Sequence, residues 1–471
     1  MEFFAYPDRL SNLATESLGR YVSDLVQRVK FPKCAETETF RLNYVQQICS
    51  YLGEMIHGTL PPSFANEVTI RMMRHVLLSY RDLIEYPCFR SYCEEIAPMV
   101  MTAILHPSVM KLECFENNPH PTVIDRYKVW YSDLIVDSLS ELKNLRVLRL
   151  GSSNNFTERR LNRRDFSEKL EEFSYRFCED EELDALSKTS TKLKRLDLTD
   201  SYLTDVSIDY ILRFKHLEEL VINCVLITQD GITKLLTGLA KTDETVASTN
   251  PPELLKSFGC NNPSVSNLNV LADKFPNITS LSLRNVQCSL TALKSLKRLT
   301  KLSLRTVIFC FIEELLREIG SQIMCLNLRD VHDTDLRVIG ENCSALKCLH
   351  LSFIKFLGLQ DYKFVEYSEK FPLPEFRALT CLELKLFDDN FSQYIMSRCG
   401  NVKKLFLSDG GSQTLINILL QRKQLMSLEQ LFFTESQNVD IVVQFTDNAA
   451  IFTEVDYFSD KISLHSTPVK Y

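Results

Sequence analysis

The chain has 471 residues, 45% of them hydrophobic and 24% charged, with a formal net charge of -7. That size and composition describe a folded protein longer than one ordinary globular domain, and the acidic balance argues against non-specific nucleic-acid binding as the main activity while leaving room for a local basic patch. No apolar run reaches the roughly 18 residues of a membrane span, so none is expected. Residues Met1 to Arg9 carry Asp8 and no cationic flank ahead of an apolar core, so no secretory signal is expected either. The 15 cysteines are an odd number, scattered, with no C-x-x-C. This usage fits a reduced intracellular protein, cytoplasmic or also nuclear, better than a disulfide framework. Cys88 and Cys93, or Cys343 and Cys348, lack a matching His or Cys pair nearby, so zinc is not expected.

Residues 1–108 read as an α-helical module. Leu18, Val22, Leu25, Val26 and Val29 form one apolar stripe, and Phe40, Tyr44, Val45, Ile48, Leu52 and Ile56 a second. Leu60-Pro61-Pro62 stops that second helix. A third run carries Val68, Met72, Val76 and Leu77, with Ser63 or Asn66 as its cap.

From residue 109 the chain changes period. Leu145-Leu148-Leu150, Leu170-Phe173-Tyr175, Leu193-Leu196-Leu198 and Leu217-Leu220-Ile222 each write L-x-x-L-x-L or its equivalent. After a polar segment, Lys241 to Pro252, read as a rim loop, the degraded unit Leu255-Phe258-Cys260 leads to Ile278-Leu281-Leu283. The most regular stretch follows, with Leu299-Leu302-Leu304, Ile323-Leu326-Leu328 and Leu346-Leu349-Leu351. The step is about 23–24 residues, inside the ~20–29 window of leucine-rich repeats. Between strands, Ile312, Leu315, Leu316 and Ile319, then Leu336, Ile339 and Cys343, recur at helical spacing. The expected fold is therefore an α/β leucine-rich-repeat solenoid over 109–437, with a curved parallel sheet on the concave face and helices on the convex face. Residues 353–376 interrupt it with an aromatic-rich insert, read either as a lid on its own repeat or as a partner-binding lip. The repeats resume at Leu379-Leu382-Leu384, Val402-Leu405-Leu407 and Leu428-Leu431-Phe433, and a β-rich tail over 438–471 is the expected cap.

The unit from Asp333 to Leu351, D-T-D-L-R-V-I-G-E-N-C-S-A-L-K-C-L-H-L, resembles the cysteine-containing leucine-rich repeats of F-box substrate receptors. Thr204-Asp205 and Ser397-Arg398-Cys399-Gly400 echo it, and the likeness spans residues 140–437. Cys325, Cys343, Cys348, Cys381 and Cys399 are read with it as replacements at repeat positions of leucine or asparagine, buried as small hydrophobes. In the N-terminal module, Leu18-x-x-x-Val22-x-x-x-Val26 resembles the elongin-binding box of von Hippel–Lindau-type receptors, with Val22 where that box has cysteine. Phe89-x-x-x-Cys93-x-x-x-Ala97 fits the box nearly as well, and Leu60-Pro61-x-x-Phe64 resembles the Leu-Pro element that helps such receptors choose a cullin. Zyg-like receptors join such a box to such a solenoid. The resemblance implies a substrate receptor of a cullin–RING ubiquitin ligase, with an elongin-type adaptor, a cullin and a protein substrate as partners. The rival reading is a leucine-rich-repeat scaffold without a ligase role, its helices a plain N-terminal cap.

Strand alternation places the residues flanking the paired leucines on the concave face. Arg284, Arg305 and Arg329 form one row there, Lys301 lies two rows over, and Asn327 and His350 lie between. Three guanidiniums on consecutive rungs repel one another. They are read either as a solvated row with Asp330 as a partner, or as a dock for an acidic or phosphorylated segment or a carboxylate terminus. Arg159, Arg160, Arg163 and Arg164, diluted by carboxylates, read as a rim loop, and Gly410-Gly411-Ser412 as a strand-to-helix turn. No nucleotide-binding, nucleophile-elbow or zinc-protease signature occurs, so no catalysis and no cofactor are expected of the chain.

Overall fold

The computed structural model describes residues 20, 38–59, 66–70, 72–73, 99–113, 139–150, 166–242, 255–355, 373–385, 387, 389–408, 427–434, 439–445, 449–456 and 462–468. It divides into two compact units, Met1–Leu226 and Ile227–Tyr471.

The first unit begins with helix α1, Glu38–Thr59. Val45, Cys49, Leu52 and Ile56 make its buried stripe, and Tyr44 is 54% exposed. Tyr44 therefore leaves the predicted stripe and Cys49 enters it, because the stripe drifts round the helix as 3.6 residues per turn requires. The Asn66 carboxamide oxygen accepts from the backbone N–H groups of Met110 and Lys111 at 2.8 and 3.2 Å, tying a helical turn to the first strand. Strands β1 (Lys111–Glu113), β2 (Val147–Leu150), β3 (Glu172–Tyr175), β4 (Arg195–Asp197) and β5 (Glu219–Ile222) then pair in parallel, each with the next. Leu112, Leu148, Phe173, Leu196 and Leu220 fall in one register and are all buried.

Between these strands run α2, Asp180–Thr189, and α3, Ser207–Ile211. The Asp180 carboxylate accepts from Thr204 N at 3.0 Å, Thr204 Oγ1 at 2.6 Å and Ser207 Oγ, hooking one repeat to the next. Cysteine and serine do the work of a repeat asparagine here. Cys178 N–H donates to Ser201 Oγ, Ser201 Oγ donates to the Tyr175 carbonyl, and Cys224 Sγ donates to the Leu198 carbonyl. Burial pushes the Cys224 thiol up to about 12, so it stays protonated and serves as a donor.

In the second unit, helix α4 (Gln229–Thr242) precedes β6 (Ser257–Asn261), α5 (Val265–Lys274) and β7 (Ser280–Val286). Asn267 closes a capping box with Ser264 and donates to Gln229 O and Thr233 Oγ1, both at 2.8 Å, locking α5 to α4. The short step from Leu281 to Leu302 leaves room only for a 3₁₀ segment, Thr291–Ser295. Strand β8 (Lys301–Ile308), helix α6 (Cys310–Ile319), β9 (Cys325–His332), α7 (Leu336–Asn342) and β10 (Cys348–Ser352) make the most regular part. Ile312, Leu315, Leu316 and Ile319 of α6 are buried, as their spacing predicts, and so are Leu336 and Ile339 of α7. Strand β11 (Cys381–Lys385), helix α8 (Asp389–Met396), β12 (Lys404–Ser408) and β13 (Gln430–Thr434) continue the parallel series. Strands β14 (Val439–Phe445), β15 (Ala449–Asp456) and β16 (Ile462–Pro468) then add to β13 as an antiparallel meander.

The paired leucines of β7 to β12, among them Leu302, Leu326, Leu349 and Leu382, are completely or almost completely buried. Each contributes about 1.5–3 kcal/mol relative to exposure. A second rule recurs along the series. The second residue after the last apolar residue of each repeat's ladder pair turns left-handed: Asn262 (φ 48°), Asn285 (51°), Thr306 (56°), Asp330 (54°) and Phe353 (55°), with Phe177 and Asp200 in the first unit. That turn swings Val286, Val307, Val331 and Ile354 back into the core. These apolar residues occupy the asparagine position of the repeat, so the β-face leucines gain another buried neighbour on each rung.

Candidate functional site

Parallel, in-register strands convert sequence alternation into straight rows of side chains about 4.7–4.9 Å apart. Three rows face outward on the second unit, alternating with the buried leucines. The first runs Lys301, Cys325, Cys348, Cys381 and Lys404. The second runs Ser303, Asn327, His350, Glu383, Phe406 and Phe432. The third runs Arg284, Arg305, Arg329, Ser352 and Lys385. The structure thus brings Arg284, Lys301, Arg305, Asn327, Arg329 and His350 to one face.

The arginine row is not bare. Arg284 and Arg305 both take part in interactions with neighbours. The Arg329 guanidinium lies over the Phe353 ring, 5.6 Å from its centroid, which the left-handed turn at Phe353 makes reachable. Asp330, read from the sequence as a partner of the arginines, accepts from Thr306 Oγ1 at 3.0 Å and stands 3.7 Å from His332 Nε2.

The central row holds an ion pair that crosses the aromatic insert. His350 Nδ1 and Glu383 Oε2 are 2.5 Å apart on adjacent rungs. Burial by itself lowers the imidazole pKa, but the influence of Cys325 beside it and the hydrogen bond and negative charge of Glu383 outweigh it and raise His350 to about 9. The hydrogen bond from His350 holds the Glu383 carboxyl below its ordinary value against the opposing effect of burial. Beyond Glu383 the row becomes aromatic: Phe406 and Phe432 stack at 4.4 Å with ring planes 3° apart.

The first row corrects the reading of the cysteines. Cys343 and Cys399 are buried, as expected, but Cys325, Cys348 and Cys381 are half-buried on the outward face. They precede the second leucine of each repeat, an alternate position, rather than replacing a core residue. The signal was in the alternation of C-L-x-L, which puts the cysteine opposite the leucine. Cys348 is the register partner of both Cys325 and Cys381. Burial pushes Cys348 up, and Cys381 up to about 12. Glu383, Phe406 and Phe432 were also missed, because the insert hides which rung follows His350.

The outward face of the first unit is built differently. Glu113, Arg149, Glu172, Arg195 and Glu219 alternate in sign across five strands. Arg149 meets Glu113 at 2.7 Å and Glu172 at 2.5 Å, and Arg195 bridges Glu172 and Glu219, both at 3.1 Å. Glu172 is nearly buried between its two guanidiniums. This face answers its own charges.

Leu18, Val22, Val26, Leu60 and Pro61 lie outside the described residues, as do Phe89, Cys93, the arginine cluster around Arg159, Gly410 to Ser412 and residues 356–372 of the aromatic insert. The insert's described ends are packed: Leu373 and Phe376 are buried, and Leu373 N–H donates to Tyr394 Oη at 3.0 Å. Among the described residues no helix is long and apolar enough to cross a membrane, and no three His, Cys, Asp or Glu side chains are gathered around a common point.

The repeated strand–helix unit, the parallel register and the buried leucine ladder define a leucine-rich-repeat solenoid. No protein-family model matches the chain, and no curated protein does. Among solved structures it is similar to the Rad7 and Elc1 complex of yeast (10% identity, covering 86% of this chain and 96% of that one, TM-score 0.39). It is similar also to an internalin, InlF of Listeria monocytogenes (16%, 60% and 82%, 0.30), and to a leucine-rich-repeat protein of Leptospira interrogans (16%, 71% and 92%, 0.27). These scores carry nothing about activity or partners, and the class rests on the register and the repeat.

Proposed function

We propose that the chain is a protein-recognition solenoid whose second unit holds a protein partner on its outward face. The more specific proposal is that it serves as substrate receptor of a cullin–RING ubiquitin ligase. One observation carries the recognition reading. On that face Arg284, Arg305, Arg329, Lys301, Lys385 and Lys404 stand against Glu383 and Asp330, in a chain whose net charge is -7. A basic face on an acidic chain steers acidic partners and gives specificity more than raw affinity. The stacked Phe406 and Phe432 supply an apolar anchor at its end. In the ligase reading the chain performs no chemistry itself and supplies proximity and orientation. Leu18, Val22, Val26, Leu60 and Pro61 recruit the elongin-type adaptor and the cullin in that reading, which rests on the sequence resemblance.

The test is a pair of binding measurements on the full chain. Purified elongin-type adaptor is expected to bind the intact chain and not the Leu18→Ala/Val26→Ala variant. No binding to either overturns the ligase reading and leaves a scaffold. Separately, Arg305→Glu is expected to weaken capture of protein partners from lysate, most at low salt, without shifting the unfolding midpoint. Unchanged capture overturns the assignment of this face.

A further inference from the structure

The cysteine row has a geometry that the recognition reading does not use. Cys325, Cys348 and Cys381 occupy the same register position on β9, β10 and β11, and all are free thiols. All are partly accessible, and the middle one has the other two as its register partners on either side. A basic residue continues the row at each end, Lys301 beside Cys325 and Lys404 beside Cys381.

What such a row can hold follows from its spacing. A tetrahedral zinc ion needs its ligands gathered at about 2.3 Å around one point. The outer cysteines sit two rungs apart, roughly 9.5 Å at the backbone, twice the strand spacing. That is a line rather than a cage, in keeping with the lack of any gathered three-ligand group among the described residues. A two-coordinate ion makes a different demand. With metal–sulfur bonds of about 2.3 Å, a linear S–M–S unit spans about 4.6 Å, close to the ~4.8 Å between neighbouring rungs. Thiol ligands select soft cations, and among biological metals copper(I) is the soft one that accepts two sulfurs.

We propose that the Cys325–Cys348–Cys381 row is a binding site for a soft, monovalent, two-coordinate cation, copper(I), held between adjacent rungs with Cys348 common to both positions. Two thiols bind the ion and release two protons, leaving an S–M–S unit with one negative charge. Lys301 and Lys404, which continue the row at its two ends, bring positive charge to that unit and compensate it where an apolar face would not. The site is independent of the recognition reading, since it needs no partner protein.

The arrangement makes a prediction that an adventitious thiol would not. The reduced full chain is titrated anaerobically with copper(I) supplied as its acetonitrile complex. Binding is read by near-ultraviolet thiolate-to-metal absorption and by competition with a copper(I) chelator. Cys348→Ser breaks both pairs and is expected to weaken the tight site by more than the roughly hundred-fold that losing a supporting partner costs. Cys325→Ser and Cys381→Ser each leave one pair, and at least one of them is expected to keep a tightly bound ion. Wild-type affinity in Cys348→Ser overturns the proposal, because the ion then sits on other cysteines. Equal loss in all three variants overturns the two-coordinate geometry. Metal-free circular dichroism and unfolding midpoints establish that each variant is folded, with Cys348→Ala replacing a serine variant that is not.

Discussion

Gly340 sits inside α7, where alanine is ordinarily the better residue by about 1 kcal/mol. The structure reverses that preference. A methyl group there would collide with Pro374 Cγ, and would lie 3.2 Å from Pro374 Cδ and 3.3 Å from Phe376 Cζ. A long side chain would swing aside, but a proline ring cannot, so the chain returning from the aromatic insert would have to move off α7. Overpacking of this kind costs about 1–3 kcal/mol. Set against the helical gain, Gly340→Ala is expected to destabilise the second unit by up to about 2 kcal/mol. With a urea slope of about 2 kcal/mol per molar, the unfolding midpoint falls by up to about 1 M. The double variant Gly340→Ala/Pro374→Ala removes the colliding ring atoms and is expected to recover part of the loss, a coupling that only residues in contact show. A raised midpoint in Gly340→Ala, or purely additive losses in the double variant, would refute the packing of residue 374 against α7.

Two further outcomes follow from the rungs themselves. Thr306 holds φ at 56°, a conformation costing an ordinary L-residue about 1–2 kcal/mol and one that asparagine tolerates. Thr306→Asn is expected to raise stability by about 0.5–1 kcal/mol in urea unfolding, and a lowered midpoint would mean that the Thr306–Asp330 hydrogen bond outweighs the backbone term. Glu383→Gln is expected to bring the His350 titration, followed by NMR, down from about 9 toward 6.5, and an unmoved titration would sink the ion pair. Because the folded pKa of His350 lies above its unfolded value, its contribution to stability is complete below pH 6.5. It is lost as pH rises through about 9. Glu383, with its pKa lowered, contributes above pH 4.5 and loses that contribution as pH falls through its folded value. Wild-type chain should therefore lose stability between about pH 6.5 and 9, and Glu383→Gln should lose less.

The leucine ladder was legible because burial of an alternating pair on every rung is a strict, periodic demand that few residue types meet. Leu302 and Leu304 could be placed from spacing alone, as could Ile312 and Leu316 on the helix behind them. The left-handed turn after each strand was not, since the residues that take it range from Asn285 to Phe353 and no glycine marks it. Rung-to-rung chemistry was the hardest to see. His350 and Glu383 lie 33 positions apart only because an insert intervenes, yet the register makes them neighbours. The cysteines show the same limit. Counted along the chain, Cys325, Cys348 and Cys381 are distant single residues with no ligand spacing, and only the parallel register sets their thiols side by side.

The two outward faces also differ in what docking would cost. On the first unit Arg149 and Arg195 already share the Glu172 carboxylate, so an acidic partner there would have to break formed ion pairs and desolvate the displaced charges. The exposed pairs are individually weak, but the chain Glu113–Arg149–Glu172–Arg195–Glu219 must be given up as a network rather than bond by bond. On the three outward rows of the second unit basic side chains outnumber acidic ones, so in the proposed reading a carboxylate or phosphate approaching Arg305 or Arg329 would lower the repulsion between neighbouring rungs as it binds. The same repeat therefore gives two surfaces of opposite disposition. The difference lies in the residues flanking each leucine, which the core leaves free to vary.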